Sequence, residues 1–90
     1  MKILKETITT ALENADLDDD ALYPEYGGRG RFGQVCFGIT CDMQEYSKFL
    51  VQLTMSSPDE AFELAQHASV DSLGLRSIFY FPGCQVTEDE

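Results

Sequence analysis

The chain has 90 residues, and 16 acidic residues against 6 Lys and Arg give it a formal net charge of −10 at pH 7. This length allows one small domain, and a hydrophobic content of 43% supplies a core, which excludes wholesale disorder. The acidic balance excludes direct binding to nucleic acid or to an anionic membrane, because both kinds of binding rely on clustered Lys and Arg.

Nothing in the sequence predicts export or membrane insertion. The N-terminal stretch MKILKETITTALEN becomes polar too early for a signal peptide, and no apolar run approaches the roughly 20 residues of a membrane span. Cys36, Cys41 and Cys84 are an odd number of cysteines, which favours reduced thiols over a disulfide framework. We therefore expect a cytoplasmic protein that is stabilised by packing.

The first predicted element is a helix over about residues 3–15. One face of this helix carries apolar residues at helical spacing, namely Leu4, Ile8, Ala11, Leu12 and Ala15. The carboxylates that follow are unfavourable near the negative end of the helix dipole. We therefore predict a solvated turn over residues 16–20, which contain Asp16, Asp18, Asp19 and Asp20.

Two strands joined by a glycine-rich turn are predicted next. Residues 21–26 (ALYPEY) suit a short edge strand, because Pro24 lacks an N–H and is tolerated at an edge. Gly27, Gly28 and Gly30 predict a turn. Residues 32–40 then alternate apolar with polar or small residues, which is typical of a half-buried strand.

Residues 43–55 fit both a helix and a strand. Asp42 and Glu45 match a capping box, and a helical stripe would be formed by Met43, Tyr46, Phe49, Leu50 and Leu53. A strand over about 46–55 is indicated instead by the alternation of Phe49, Val51, Leu53 and Met55 with their neighbours. We favour the strand, because a hairpin with residues 32–41 would pair both strands and a helix would collide with the next helix start.

A second helix over about residues 58–68 has a clear start signal. Ser57 suits the N-cap and Pro58 the first helical position, and Asp59 and Glu60 suit the first turn. Its predicted apolar face consists of Ala61, Phe62, Leu64, Ala65 and Ala68. A turn with Asp71 and Gly74 then leads to a central, aromatic-rich strand over 75–81, which Pro82 and Gly83 stop.

These elements predict an α+β fold in the order α-β-β-β-α-β. The sheet has three to four strands, is mainly antiparallel, and carries two helices on one face. We expect residues 1–84 to form a single domain and residues 85–90 to form a flexible, acidic C-terminal tail.

The segment Gly28-x-Gly30-x-x-Gly33 matches two nucleotide-binding patterns as a string of letters. A dinucleotide site needs a helix after the glycines, whereas a strand is predicted here, and the chain is too short for the catalytic lobe of a kinase. Hairpin glycines are the interpretation that we adopt. Nucleotide or ligand binding by this hairpin, with Arg29, Arg31 and Lys48, remains an alternative.

Asp16, Asp18 and Asp20 occupy the first, third and fifth positions of a calcium-binding loop. Ala21 stands where glycine must turn such a loop, and Gly27 stands where its bidentate glutamate belongs. The pattern therefore does not predict a calcium site.

Cysteine and histidine chemistry is not predicted either. Three cysteines and His67 could in principle form a zinc site, but their spacing is wrong for one. Cys36 and Cys41 would face opposite sides of one strand. His67 is the only histidine, and it follows Glu63 by four positions on a helix, which predicts an ion pair rather than catalysis. We expect no metal, no cofactor and no enzymatic activity.

The segments GGRGRFG (27–33) and DSLGLRSIFYFPG (71–83) resemble parts of small uncharacterised acidic proteins from bacteriophages and bacterial mobile elements. The resemblance carries no catalytic motif. It implies a setting in which such proteins bind host machinery, as do the phage inhibitors of restriction or CRISPR systems that mimic nucleic acid in charge.

We therefore expect a non-enzymatic acidic interaction protein, an inhibitor that docks on a basic, nucleic-acid-binding host protein such as a CRISPR or restriction component. The alternatives are a small assembly module that forms a homo-oligomer through strand 75–81 or an unpaired edge, and the nucleotide- or ligand-binding domain named above. The candidate partner-binding residues are Asp16, Asp18, Asp19, Asp20, Glu25, Arg29, Arg31, Asp59, Glu60 and Glu63.

Overall fold

The computed structural model describes residues 1–24, 36–73 and 76–88, which fold as an α+β protein, as the sequence predicts. A four-stranded antiparallel sheet and a two-stranded parallel sheet are combined with three helices, α1 (Lys5–Asn14), α2 (Met43–Ser56) and α3 (Pro58–His67). The strands are β1 (Lys2–Leu4), β2 (Leu22–Tyr23), β3 (Cys36–Cys41), β4 (Ser69–Leu73), β5 (Arg76–Pro82) and β6 (Gln85–Thr87). The predicted order α-β-β-β-α-β is therefore wrong, because the described residues contain one more helix and two more strands than it gives.

The helix predicted over residues 3–15 is confirmed as α1, but the residues before it form strand β1. β1 pairs in parallel with β6, and Ile3 lies opposite Val86. Ile3 is buried, and the burial of this apolar side chain stabilises β1 against the rest of the fold. The predicted flexible tail over 85–90 is wrong for Gln85–Thr87, and residues 89–90 lie outside the described ranges.

Residues 43–56 form helix α2, so the predicted strand over 46–55 and its hairpin with 32–41 are wrong. The capping box is formed in both directions. The Glu45 N–H donates to Oδ1 of Asp42 at 2.7 Å, and the Asp42 N–H donates to Oε1 of Glu45 at 3.0 Å. The collision argument fails because the single residue Ser57, with extended φ of −148°, separates α2 from α3.

The burial pattern of α2 also follows the helical period. Tyr46, Phe49 and Leu53 are buried. Val51 and Met55, which a strand would bury together with Phe49 and Leu53, are 56% and 75% exposed. Since residues at i, i+3, i+4 and i+7 share a face of a helix, one stripe of α2 enters the core and the other faces solvent.

The start of α3 is confirmed, with Pro58 in its first turn and the acidic Asp59 and Glu60 beside it. Its buried face is narrower than predicted, because Ala61 and Leu64 are buried whereas Phe62 is 64% exposed. A short helix at the surface contributes only one stripe of side chains to the core.

The four-stranded sheet has the order β2-β3-β5-β4. This order confirms the aromatic strand as central, because β5 pairs with β3 on one side and with β4 on the other. The homo-oligomer alternative stays a prediction, and edge pairing through β5 would require that one of these two neighbours be displaced. Leu22–Tyr23 confirm an edge strand within the predicted 21–26. The turn predicted with Asp71 and Gly74 is wrong at Asp71, which lies within β4 and pairs with Ile78, and Gly74 lies outside the described residues.

One face of the sheet packs on the helices. Phe37 pairs with Phe81 and Ile39 with Phe79, and all four side chains belong to the main hydrophobic core. Tyr46 of α2 stacks on Phe79 with ring centroids 4.0 Å apart. This contact places α2 directly over the middle of the sheet.

The two central strands, β3 and β5, also bury side chains on the opposite face of the sheet. Cys36 and Gly38 of β3 and Ile78 and Tyr80 of β5 are buried on that face. The half-buried alternation predicted for 32–40 is therefore wrong in the described part of the strand, β3. The burial of both faces favours the apolar and small residues that β3 contains.

The turn after β5 is confirmed at Pro82 and Gly83. Gly83 has a φ of +82°, a left-handed conformation that glycine adopts without a steric penalty. The Cys84 N–H donates to the carbonyl of Phe81 at 3.0 Å and closes the turn. The chain thereby enters β6 next to the N-terminus, where the Gln85 N–H donates to the Met1 carbonyl at 2.9 Å.

Candidate functional site

Among the residues that the structure describes, four carboxylates and one guanidinium line a surface pocket of about 390 Å³ near the end of β3. Its charged residues are Asp16, Asp18, Asp20, Glu45 and Arg76, and its other lining residues are Leu17, Ala21, Tyr23 and Thr40. We call this site the acidic pocket. Among the described lining residues the carboxylates outnumber the cation, so these side chains together carry a negative charge.

Asp16 reaches the acidic pocket through the turn that ends α1. The Asp16 N–H donates to the Glu13 carbonyl at 3.0 Å and the Leu17 N–H donates to the Leu12 carbonyl at 2.8 Å, which together form a Schellman motif. Leu12 and Leu17 are both buried and fix the turn to the core. Asp16 has a φ of +61°, at the position of this motif that glycine usually occupies.

Replacing Asp16 with glycine is expected to raise the free energy of unfolding by about 1 kcal/mol, because glycine adopts the left-handed conformation without the Cβ clash. Urea denaturation measures the change. Asp16→Ala is the matched control, since it removes the same carboxylate and keeps the Cβ. An equal gain for Asp16→Ala would contradict the backbone explanation.

Asp18 and Asp20 are placed by the 3₁₀ turn Asp19–Ala21, which leads into β2. Asp18 is the residue before this turn, and the Ala21 N–H donates to its carbonyl at 3.0 Å. Asp19 lies in the same turn but does not line the acidic pocket. The structure therefore gathers three of the four clustered aspartates, with Ala21 buried beneath them.

Glu45 and Arg76 form the opposite wall of the acidic pocket. Nη2 of Arg76 lies 3.3 Å from Oε1 of Glu45 and donates to the Thr40 carbonyl at 3.2 Å. The same Glu45 oxygen also accepts the Asp42 N–H of the capping box. Arg76 thus connects β5 to β3 and to the start of α2.

The sequence prediction missed both residues of this wall. The capping-box match was a signal for Glu45, because it placed that side chain at a helix start. No local signal identifies Arg76, whose partner Glu45 is 31 positions away in the chain.

The second predicted acidic patch lies elsewhere. Asp59 and Glu60 occupy the first turn of α3, and Glu60 lines a separate concavity of about 710 Å³ with Lys2 and Glu88. The predicted pair of Glu63 and His67 is confirmed, with Oε2 and Nε2 4.0 Å apart. These side chains do not line the acidic pocket.

Several predicted residues cannot be placed in either site. Glu25, Arg29 and Arg31, together with the glycines of the hairpin, lie outside the described residues. Lys48, which the ligand-binding alternative uses, lies on α2 beside the end of α1.

The three cysteines form no disulfide bond, and all three are buried. Burial raises the pKa of Cys36, Cys84 and Cys41, and for Cys41 the pKa reaches about 12. At Cys41 burial is the largest cause, the carboxylates of Glu45 and Asp42 raise the pKa further, and Arg76 lowers it. Such thiols stay protonated near neutral pH, and the thiolate is the reactive form.

Within the described ranges, no three His, Cys, Asp or Glu side chains are placed to hold a metal ion. The helices in those ranges are each too short or too polar to cross a membrane. In comparisons with known proteins, no protein-family model, curated protein or solved structure matches this chain.

Proposed function

We propose that this protein is a non-enzymatic acidic interaction protein whose acidic pocket receives a Lys or Arg side chain of a basic partner. The observation that supports this most directly is that Asp16, Asp18, Asp20 and Glu45 line one pocket with Arg76, which is the only cation among its described lining residues. A further cation in the pocket gains attraction from carboxylates that Arg76 alone does not balance. The net charge of −10 acts over a longer range and speeds association with a basic surface.

The partner class that fits this charge is a nucleic-acid-binding protein. Such a protein presents Lys and Arg for phosphates, and a chain with a net charge of −10 is complementary to that surface. In this proposal the chain covers the phosphate-binding surface and blocks it. CRISPR and restriction components are host proteins of this kind, and the phage setting that segments 27–33 and 71–83 imply is part of this proposal.

The chemistry of the side chains supports a binding role rather than catalysis. His67 is the only histidine in the sequence, and it lies on the surface of α3 beside Glu63. Cys41 interacts electrostatically with Glu45 and Arg76 of the acidic pocket, and its raised pKa keeps it protonated at neutral pH.

A fluorescein-labelled oligoarginine peptide tests the proposed pocket by fluorescence anisotropy. We expect the double variant Asp18→Asn, Asp20→Asn to weaken peptide binding roughly tenfold, since two close charge interactions are lost. The matched control is Asp59→Asn, Glu60→Gln, which changes the net charge equally but lies at the start of α3, and we expect its effect to stay within about twofold.

Binding of the peptide should also weaken as salt is added, because the pocket is exposed and its charges are screened. Two results would overturn the proposal. One is peptide affinity that does not change with salt, and the other is an equal loss in the two double variants, which would assign the attraction to net charge rather than to the pocket.

The partner class has its own experiment. The chain immobilised on a resin is expected to retain nucleic-acid-binding proteins from a bacterial lysate at low salt, and added duplex DNA should release them by competition. Retained proteins that DNA does not displace would contradict the claim that the chain occupies a phosphate-binding surface.

The assembly alternative keeps one supporting observation. Among the described strands, β4 lies at one edge of the four-stranded sheet, and its Val70 is exposed. Two copies would each bring a net charge of −10, so pairing through β4 would strengthen as salt is added. Sedimentation at low and high salt separates this alternative from the proposed function, for which we expect a monomer at both.

A further inference from the structure

A second concavity adjoins the acidic pocket. This groove of about 380 Å³ lies between the C-terminal end of α1 and the exposed face of α2, and we call it the α1–α2 groove. Its lining includes Ala15, Asp16, Gln44, Lys48, Val51 and Gln52. Asp16 lines both concavities, so a ligand that reaches Asp16 from the acidic pocket lies at the border of the groove.

The two concavities differ in chemistry. The acidic pocket has an excess of carboxylates, whereas the α1–α2 groove has one carboxylate, Asp16, and one ammonium, Lys48, which balance each other formally. A cation therefore gains less in the groove than in the pocket. What the groove offers instead is apolar surface, to which Val51 contributes an apolar side chain, because Val51 is 56% exposed whereas Ala15 is buried.

We infer that the basic partner places an apolar side chain in the α1–α2 groove, next to the Lys or Arg side chain that enters the acidic pocket. This inference rests on the proposed function and deepens it, since it names the recognition element as a cation followed by an apolar residue. Once the cation is bound, the neighbouring apolar side chain of the partner is held close to Val51. Its contact with Val51 then costs little additional conformational entropy.

Charge decides between the candidate occupants of the groove. A second copy of this chain would bring its own net charge of −10 next to Asp16, Asp18 and Asp20, which is unfavourable. A basic partner brings the opposite charge, and an apolar contact at the centre of a polar rim is the usual arrangement of a protein interface.

Two fluorescein-labelled peptides of equal length and charge test the inference. One alternates Arg with Leu and the other alternates Arg with Ser. We expect the wild-type protein to bind the Arg-Leu peptide roughly fivefold more tightly, because only Leu buries the apolar surface of Val51. Val51→Gln should remove this preference, since glutamine keeps the helix but replaces the apolar surface with an amide.

Met43→Gln is the matched control. Met43 is 64% exposed on the same helix, but it does not line the α1–α2 groove. We expect this variant to retain the preference for the Arg-Leu peptide. The methyl resonances of Val51 should also shift with the Arg-Leu peptide more than with the Arg-Ser peptide.

The outcomes separate this inference from the proposed function. Equal affinity of the wild type for the two peptides, or a preference that survives in Val51→Gln, overturns the groove while the acidic pocket stands. A preference that is lost equally in Met43→Gln overturns the groove as well, because it assigns the contact to exposed apolar surface in general. If neither peptide binds in a salt-dependent manner, both the pocket and the groove are overturned.

Discussion

Replacing Phe49 with alanine is expected to lower the free energy of unfolding by about 3–5 kcal/mol, measured by urea denaturation. The Phe49 side chain has no exposed surface, belongs to the main core, and lies beside Tyr46 with ring centroids 6.4 Å apart. The loss combines the apolar surface returned to water with the cavity left under α2. For a small domain with a total stability of about 5–15 kcal/mol, this is a large fraction.

The controls for Phe49 lie on the same helix. Val51→Ala and Met55→Ala are expected to change stability by less than about 0.5 kcal/mol, because both side chains are exposed. A strand over 46–55 would bury these two residues with Phe49, so comparable losses for all three would contradict the helix. If Phe49→Ala does not fold, Phe49→Leu should give a measurable loss of about 1 kcal/mol.

The segment 43–56 shows why period alone was an insufficient guide. Its apolar residues fit a period of 2 and a period of 3.6, and only the contact partners distinguish the two. Tyr46 stacks on Phe79, which lies 33 positions later. This contact buries the face of the helix that carries Tyr46, and it is not visible in the local sequence. The Asp42–Glu45 capping box was the local signal that pointed to the helix.

Other parts of the fold were predictable because their signals are local. Pro58 and the acids after it define the start of α3, and Gly83 defines the turn after β5. The pairing of β1 with β6 joins residues more than 80 positions apart, and three-residue strands carry too little pattern to predict it. The aspartates of the acidic pocket were visible in the sequence, whereas Arg76 enters the site only through the pairing of β5 with β3.

Raising the pH above 9 is expected to destabilise the protein, because the folded state keeps protons that the unfolded chain releases. The pKa of Cys41 is raised from 9.0 to about 12, chiefly by burial, and the pKa of Tyr46 is raised from 10.0 to about 12, also chiefly by burial. The stability that these neutral groups contribute is fully present below their unfolded pKa values and is lost as the pH rises toward about 12.

The size of the expected loss follows from the slope of the free energy of unfolding against pH. While a group ionises only in the unfolded chain, stability falls by about 1.4 kcal/mol per pH unit, so Cys41 acts from pH 9 and Tyr46 adds to it above pH 10. Urea denaturation under reducing conditions at about pH 8, 9 and 10 measures the slope. Cys41→Ala should flatten it, with the remainder due to Cys36 and Cys84, whose pKa values are also raised. An unchanged stability of the wild type over this range would contradict the prediction. It would mean that the Cys41 thiol ionises as readily in the folded protein, where it is excluded from solvent, as in the unfolded chain.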